Sequence, residues 1–345
     1  MVTAIDIPSQ CSRADHKADR AVGLWLLACC AMIFVMVSIG GITRLTESGL
    51  SITEWRPISG IVPPLSAGEW QQEFALYRQI PEFQQLRPEM TLEEFKGIFW
   101  WEYVHRLWGR LIGVVFAAGF VALLLRRQIR RPLAPHLVAM FVLGGLQGAL
   151  GWFMVQSGLS VRTDVSQYRL AAHFLAALAI YSYMFWTALT LLRAPTKEGT
   201  ARQLRPHLLA IACVLIVTLT FGAFVAGLNG GLVYNSFPLM GGALVPGDAF
   251  QTAWSAFEDP VTAQFIHRWL AMTVVVLVIA LWLRRRGLPT AAARPVDALA
   301  AMALLQAALG ISTLLLVVPI PLAAAHQAGA VVLWTLTLWS LHAAR

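Results

Sequence analysis

Eight apolar runs, each long enough to cross a bilayer as a helix, divide the chain: roughly 21–42, 102–125, 134–155, 168–192, 206–226, 263–283, 296–318 and 322–342. A crossing helix needs about 20 such residues. Inside lipid every backbone donor and acceptor must be satisfied within the segment, so runs of this kind are predicted to be helical. With 58% hydrophobic and 13% charged residues, an ordinary soluble domain is excluded. The first run follows a polar tail, 1–20, and lacks a small-residue cleavage site, so it reads as a first span and not as a removed signal peptide. The expected fold class is an all-α integral membrane protein with eight transmembrane helices.

The basic residues set the expected orientation. With eight spans, Arg13, Lys17 and Arg20 share a side with Arg126, Arg127, Arg130 and Arg131, with Arg193, Lys197, Arg202 and Arg205, and with Arg284, Arg285, Arg286, Arg294 and Arg345. The opposite side carries one long loop, 43–101, and a second, 227–262, with no Lys or Arg. The positive-inside rule then places both termini in the cytoplasm. The net charge of +8 is accounted for by topology, with no basic patch of the kind nucleic acid needs. Cys11 falls in the tail and Cys29, Cys30 and Cys213 within spans, so neither a disulfide framework nor a zinc site is implied, and packing is the expected role.

The chain repeats itself. The segment after span one, GGITRLTESGLSITEWRPISG, has an echo after span five, FGAFVAGLNGGLVYNSFPLMG; at one offset Gly41, Gly49, Pro57 and Gly60 fall on Gly222, Gly230, Pro238 and Gly241. Leu146–Gly151 (LQGALG) in span three matches Leu305–Gly310 (LQAALG) in span seven. His105-Arg106 and His267-Arg268 open spans two and six, and AAH ends on His173 and His326 in spans four and eight. Each half has four spans starting on the same side, which predicts two parallel-repeat four-helix bundles, 21–193 and 206–345, joined by a cytoplasmic linker, 194–205.

His105, His173, His267 and His326 each lie about five residues, or roughly 7 Å, inside the outer end of an even-numbered span. A lone membrane histidine is often a satisfied interhelical polar group, but four at one depth, two per half, form a stronger pattern. The residue four positions on, which shares a helix face with each, is Gly109, Ala177, Ala271 and Ala330, leaving room beside the ring for a flat macrocycle. Two imidazoles from facing helices suit axial ligation of a haem iron. Zinc or copper would want more converging ligands. Two haem sites near the outer face are expected. His16, His136, His207 and His342 lie in the tail or at the other ends and read as interfacial.

The repeat breaks at Glu102-x-x-His105, which faces Gln264-x-x-His267. Glutamine keeps the size and hydrogen bonding of glutamate but cannot titrate. The first half therefore has an acid-base or charge-stabilising group beside its histidine and the second has a neutral one, which points to a reacting half and an electron-transferring half. The competing reading is that Glu102 pairs with Arg106 at i+4 and anchors the helix end.

Taken together, GGITRLTESGLSITEW, EYVHRLWGR, LQGALGWFMVQSGL, AAHFLAAL, GLNGGLVYNSFPLM, QFIHRW and AAHQAGA resemble the haem A synthases of the proteobacterial and mitochondrial branch, in order and over nearly the whole chain. The cysteine pair that the Gram-positive branch has in its first outer loop is missing here, so no role of that pair carries over. The resemblance implies oxidation of the C8 methyl of haem O to the formyl of haem A for terminal oxidases. It implies substrate haem between His105 and His173 with Glu102 as the catalytic acid, and a haem b cofactor between His267 and His326. It also implies the bacterial cytoplasmic membrane as location, with the haem sites toward the periplasm. Arg106, Arg110, Arg169 and Arg268 are at the level of haem propionates, or else snorkel toward phosphate headgroups. The partner expectations are haem O delivered by haem O synthase, an electron acceptor such as a quinone, the lipid bilayer and a homo-oligomer, with no nucleic acid. A dihaem cytochrome acting on quinol would explain the four histidines but not Glu102, and a transporter would predict polar residues at mid-membrane.

In the first outer loop, Ser66/Glu69 and Thr91/Glu94 have the spacing of capping boxes. They predict one helix with Trp70, Phe74 and Tyr77 on a face, and a second with Phe95, Phe99 and Trp100 running into span two. Such helices suit a position in the membrane interface, over the substrate site or as a plain cap. Asp248 and Gln251 repeat the spacing in the second outer loop, ahead of Trp254 and Phe257.

Overall fold

A computed structural model describes residues 13–56, 59–160, 162–193, 201–285 and 290–345. Cys11, Pro57, most of the linker with Lys197, and Arg286 lie outside them. The described residues form helices: α1 (Arg13–Leu45), α2 (Ala67–Tyr77), α3 (Pro81–Leu86), α4 (Leu92–Leu125), α5 (Ala134–Val155), α6 (Gln167–Leu192), α7 (Arg205–Gly227), α8 (Ser255–Glu258), α9 (Pro260–Leu283), α10 (Thr290–Leu315) and α11 (Ile320–Ala343), with short 3-10 turns between. Eight of them are long and apolar enough to span a membrane, at the eight predicted places. Three start well before the apolar run does. The polar tail is helical from Arg13, α4 begins ten residues ahead of Glu102, and α10 starts before its internal Pro295.

Helix α1 packs on α4 and α6, and α5 completes the ring by touching α4 and α6. In the same way α7 packs on α9 and α11, and α10 closes a second ring against α9 and α11. The rings meet through α1 and α6 on one side and α7 and α11 on the other. Their shared core includes Leu26 and Cys29 of α1, Met184 of α6, Ile211 of α7 and Leu338 of α11. Polar bonds cross the α6–α11 contact in matched pairs: Tyr181 Oη with Thr335 Oγ1, 2.7 Å, and Trp334 Nε1 donating to Ser182 Oγ, 2.7 Å. At one end of the assembly Arg130 donates to Asp19 (2.9 Å) and Arg345 to Thr190 (3.0 Å), tying α1, the α4–α5 turn, α6 and the C-terminus together. At the other end Arg44 donates to Asn229 (2.9 Å), joining the ends of α1 and α7.

The long segment between α1 and α4 folds over this second end. Both capping boxes form, Ser66 with Glu69 and Thr91 with Glu94, so α2 and the extended start of α4 arise from local sequence. Phe74, Tyr77, Phe95 and Phe99 make an aromatic core of their own, with Trp70 packed against it. The Asp248/Gln251 reading is corrected. No helix starts there, because Asp248 instead accepts from Tyr234 Oη (3.0 Å). The cap lies further on, where Asp259 accepts from the backbone of Val261 and Thr262 and Pro260 takes the first turn of α9.

Glu82 is buried in the α2–α3 corner, accepting from Tyr77 Oη (3.1 Å) with Arg87 at 3.6 Å. Burial pushes its carboxyl up to about 7, with Arg87 opposing. A carboxyl whose folded pKa exceeds its unfolded one binds protons more tightly when folded, so stability is lost as pH rises from the ordinary carboxylate range through 7, by at most about 3 kcal/mol. Protease cleavage of this segment, titrated with urea, is expected to need more urea at pH 5 than at pH 7.5 in the wild type. Glu82→Gln should remove that difference.

Candidate functional site

The four predicted histidines come together in two pairs by one local device. A Cβ placed on Gly40 of α1 would lie 2.9 Å from Cε1 of His105, and one on Gly151 of α5 would lie 2.9 Å from Cε1 of His173. In the second half the same construction on Gly222 of α7 gives 3.1 Å to His267, and on Gly310 of α10 gives 2.7 Å to His326. Each imidazole thus rests its Cε1 edge on a glycine of the neighbouring odd-numbered span, where any side chain would displace it.

The ring nitrogens are oriented in matching ways. Gln147 Nε2 lies 3.1 Å from His173 Nδ1 and donates to the His173 carbonyl at 2.8 Å; Gln306 does the same for His326 at 3.1 and 2.8 Å. His267 Nδ1 donates to the Thr218 carbonyl at 3.0 Å, whereas His105 Nδ1 is buried without a partner. His267 and His326 face each other with ring centroids 6.4 Å apart and planes at 90°. That gap equals two metal–imidazole bonds of about 2 Å each plus the distance from each ring centre to its nitrogen.

Small residues of a neighbouring helix thus lie beside every imidazole, besides those expected four positions on along the histidine's own helix. Gly109, read as open space four residues after His105, would put a Cβ 3.3 Å from Met36 Cε. The glycines that matter are one helix away. Two of them end the repeated LQGALG and LQAALG motifs, so the signal was present. The repeat register also needs correcting. The contacts pair Gly40 with Gly222, one residue from the offset that aligned Gly41, because Gly41 packs on Gln327 of the other half.

Glu102 is 3% exposed and its carboxylate is fully engaged. Ser51 Oγ (2.8 Å) and the Ile52 backbone N–H (2.7 Å) donate to Oε2, and Arg106 donates to Oε1 through Nε (3.0 Å) and Nη2 (2.6 Å). Arg106 also donates to the carbonyls of Ile52 (2.7 Å) and Glu54 (3.1 Å). The second half repeats this frame without the charge. Arg268 donates to the carbonyls of Tyr234 and, at 2.7 Å, Ser236, and Gln264 Nε2 donates to Tyr234 O at 3.1 Å. Gln264 Oε1 and Arg268 Nε are buried without partners. The anchoring pair of Glu102 with Arg106 is thus present. Arg169 is tied to the end of α5, donating to Phe153 O at 2.7 Å with its guanidinium 3.8 Å over the Phe153 ring. Among the described residues no three His, Cys, Asp or Glu side chains converge on a point.

Four histidines on even-numbered spans, each seated on a glycine of an odd-numbered span, define a polytopic helical membrane protein with a matched histidine site in each half. The chain belongs to the COX15-CtaA family, cytochrome oxidase assembly protein, whose family model matches residues 23–338. It is 54% identical to the "Heme A synthase" of Rhodospirillum centenum over 346 residues, covering 98% of this chain and 92% of the relative. It is 51% identical to that of Paramagnetospirillum magneticum, covering 95% and 94%, and 46% identical to that of Nitrosospira multiformis, covering 96% of each.

Proposed function

We propose that the chain oxidises the C8 methyl of haem O to the formyl group of haem A, with the first half holding the substrate and the second a resident haem b. The observation that carries this reading is a difference in charge between two corresponding frames, Glu102 bonded to Arg106 against the neutral Gln264 beside Arg268. His105 and His173 would ligate the substrate iron, and His267 and His326 the iron of haem b. The 6.4 Å, perpendicular His267–His326 pair and the cradles at Gly222 and Gly310 fit a planar, doubly ligated group. A bound haem b would relay electrons singly to an acceptor such as a quinone.

Ligation through Nε2 leaves the proton on Nδ1. The Thr218 carbonyl accepts it from His267. Gln306 Nε2 and Gln147 Nε2 donate to the carbonyls of His326 and His173 and so hold the backbone beside each ring. Going from methyl to aldehyde takes up one water and releases four electrons and four protons. Glu102 would stabilise positive charge developing at the methyl carbon or accept a proton, an effect that is large in a site closed to water. Ser51, Ile52 N–H and Arg106 hold the carboxylate in place for that role. Arg106, Arg169 and Arg268, all at the outer end, are positioned for propionates, and their carbonyl bonds pre-orient them. The two halves are read as a parallel repeat with cytoplasmic termini and outward-facing haem sites in a bacterial inner membrane, and haem O as delivered by haem O synthase.

The test is chromatography of haems extracted from purified protein co-expressed with a haem O source. Haem B with haem A is the expected content; haem B alone would leave a dihaem electron-transfer cytochrome as the better reading. The cradles give a finer prediction. Gly310→Ala puts a methyl where Cε1 of His326 lies, and is expected to lower haem b content by about tenfold through overpacking. Gly151→Ala should instead lower haem O and haem A content, leaving the haem b absorption band intact.

A further inference from the structure

The face of α5 next to the first histidine pair is open where its counterpart in the second half is closed. Phe141, Gly144, Gly145, Gly148 and Trp152 share that face by their spacing. Toward the α1 start of the bundle it is bounded by Phe141, stacked on Phe116 of α4 with centroids 6.0 Å apart. At the outer end it is bounded by Trp152, stacked on Trp55 at 5.1 Å. Between these two aromatic contacts, a Cβ on Gly144, Gly145 or Gly148 would meet no atom within 4 Å, nor would one on Gly113, a turn before Phe116. Helix α5 buries only Leu137 and Met140, both beyond Phe141 from the histidines.

The second half has the same motif filled in. Ala303, Leu304 and Ala307 stand where Gly144, Gly145 and Gly148 do, Ala300 matches Phe141, and Val275 and Val278 match Gly113 and Phe116. There Ala300 is 5%, Ala303 1% and Val278 0% exposed, so the equivalent space is core at those positions, while at Leu304, 54% exposed, it is occupied by a side chain. Glycine is the least favourable residue for a helix interior apart from proline, and three within five positions of α5 argue for a need for space. The ligands proposed for the two halves differ in the same sense. Haem O carries a hydroxyethylfarnesyl chain where haem b carries a vinyl group.

We propose that the slot between α4 and α5, from Trp152 to the Phe116–Phe141 pair, receives the isoprenoid chain of the substrate haem; this rests on the assignment of the first half to the substrate. The slot opens beside the macrocycle, since Gly148 lies one turn from Gly151, the cradle of His173. Gln147, whose buried Oε1 has no partner, directly precedes Gly148. Its length is that of eleven helical residues, about 16 Å, which matches three extended isoprene units. Phe116 and Phe141 form its end stop and make chain length a selected property, while its open flank lets a lipid-soluble chain slide in from the bilayer.

The experiment titrates full-length protein, purified with its resident haem b, with haem O and separately with haem B, read by the absorption change at the first site. Gly148→Leu is expected to weaken haem O binding by about tenfold and to leave haem B binding and resident haem b content unchanged. Equal losses for both haems, or no loss for either, would overturn the slot. Phe141→Ala, at a half-exposed position that tolerates truncation, is the second variant. It should raise the affinity for a geranylgeranyl analogue relative to haem O by about fivefold or more, and an unchanged ratio would overturn the end stop. Wild-type protein that binds haem O without ever forming haem A would sink the proposed oxidation and leave the slot standing; normal haem A formation with no discrimination by the variants would sink the slot alone.

Discussion

Glu102→Gln is expected to lower haem A formation by about 10²–10³-fold, the loss typical when one preorganised charge-stabilising group is removed, while haem O and haem b stay bound. Glu102 can act as an anchor or as a chemical group, and this substitution separates the two roles. As an anchor, Glu102 holds Arg106 and the turn at Ser51 and Ile52, and a neutral amide can do most of that. In the second half Gln264 bonds the loop carbonyl of Tyr234, and Arg268 bonds the two corresponding loop carbonyls without a carboxylate to hold it. Were anchoring its only role, Glu102→Gln would cost some thermal stability and leave turnover within a few-fold of wild type. As a chemical group, Glu102 supplies what no amide can, a negative charge and a proton acceptor. Turnover would then collapse with haem O or a hydroxylated intermediate accumulating, and the melting temperature would move little. Extracted haem analysis and a melting curve on the same preparation give both readouts. A large fall in stability together with loss of bound haem O would refute the chemical role.

What could be read from the sequence follows from the range of the interactions involved. The eight spans were legible because lipid enforces long apolar helices, and the capping boxes of α2 and α4 because a cap is decided within four residues. The four histidines and Glu102 were legible because a duplicated chain supplies its own comparison. The surroundings of Glu102 were not, since Ser51 and Ile52 reach it across some fifty residues of loop. The repeat register slipped by one for a related reason. Glycines recur closely enough after span one that sequence alone aligns Gly41 with Gly222, whereas the imidazole contacts select Gly40. Asp248 looked like a cap because its spacing to Gln251 is right, but Tyr234, fourteen residues earlier, claims its carboxylate. The cap that forms, Asp259, had its own local signal in the proline directly after it. Gln147 and Gln306 lay inside the one motif that both halves share, and only the fold shows that each fixes a histidine.

The largest effect on composition is expected from His326→Ala, which should abolish the resident haem b and leave the first site able to bind haem O. The argument is geometric. Under the proposed assignment His326 and His267 would each contribute one ligand from a different helix, and their ring centroids are 6.4 Å apart. Removing one imidazole would take away one of the two proposed ligands and empty the pocket against Gly310, so a bound haem would lose both a ligand and packing. The fold itself should survive, because the joining contact of the two halves lies along Tyr181–Thr335 and Ser182–Trp334, deeper than the histidines and independent of them. His173→Ala is the matched control and should do the reverse, keeping haem b and losing haem O and haem A. Absorption spectra of the two purified variants, with pyridine haemochrome quantification, give the contrast directly. If His326→Ala retained full haem b, the His267–His326 pair would not be its ligand set, and the assignment of the second half would fall with it. If instead haem A formation continued in a His326→Ala protein free of haem b, the ligands would stand and the electron route through the second half would be wrong.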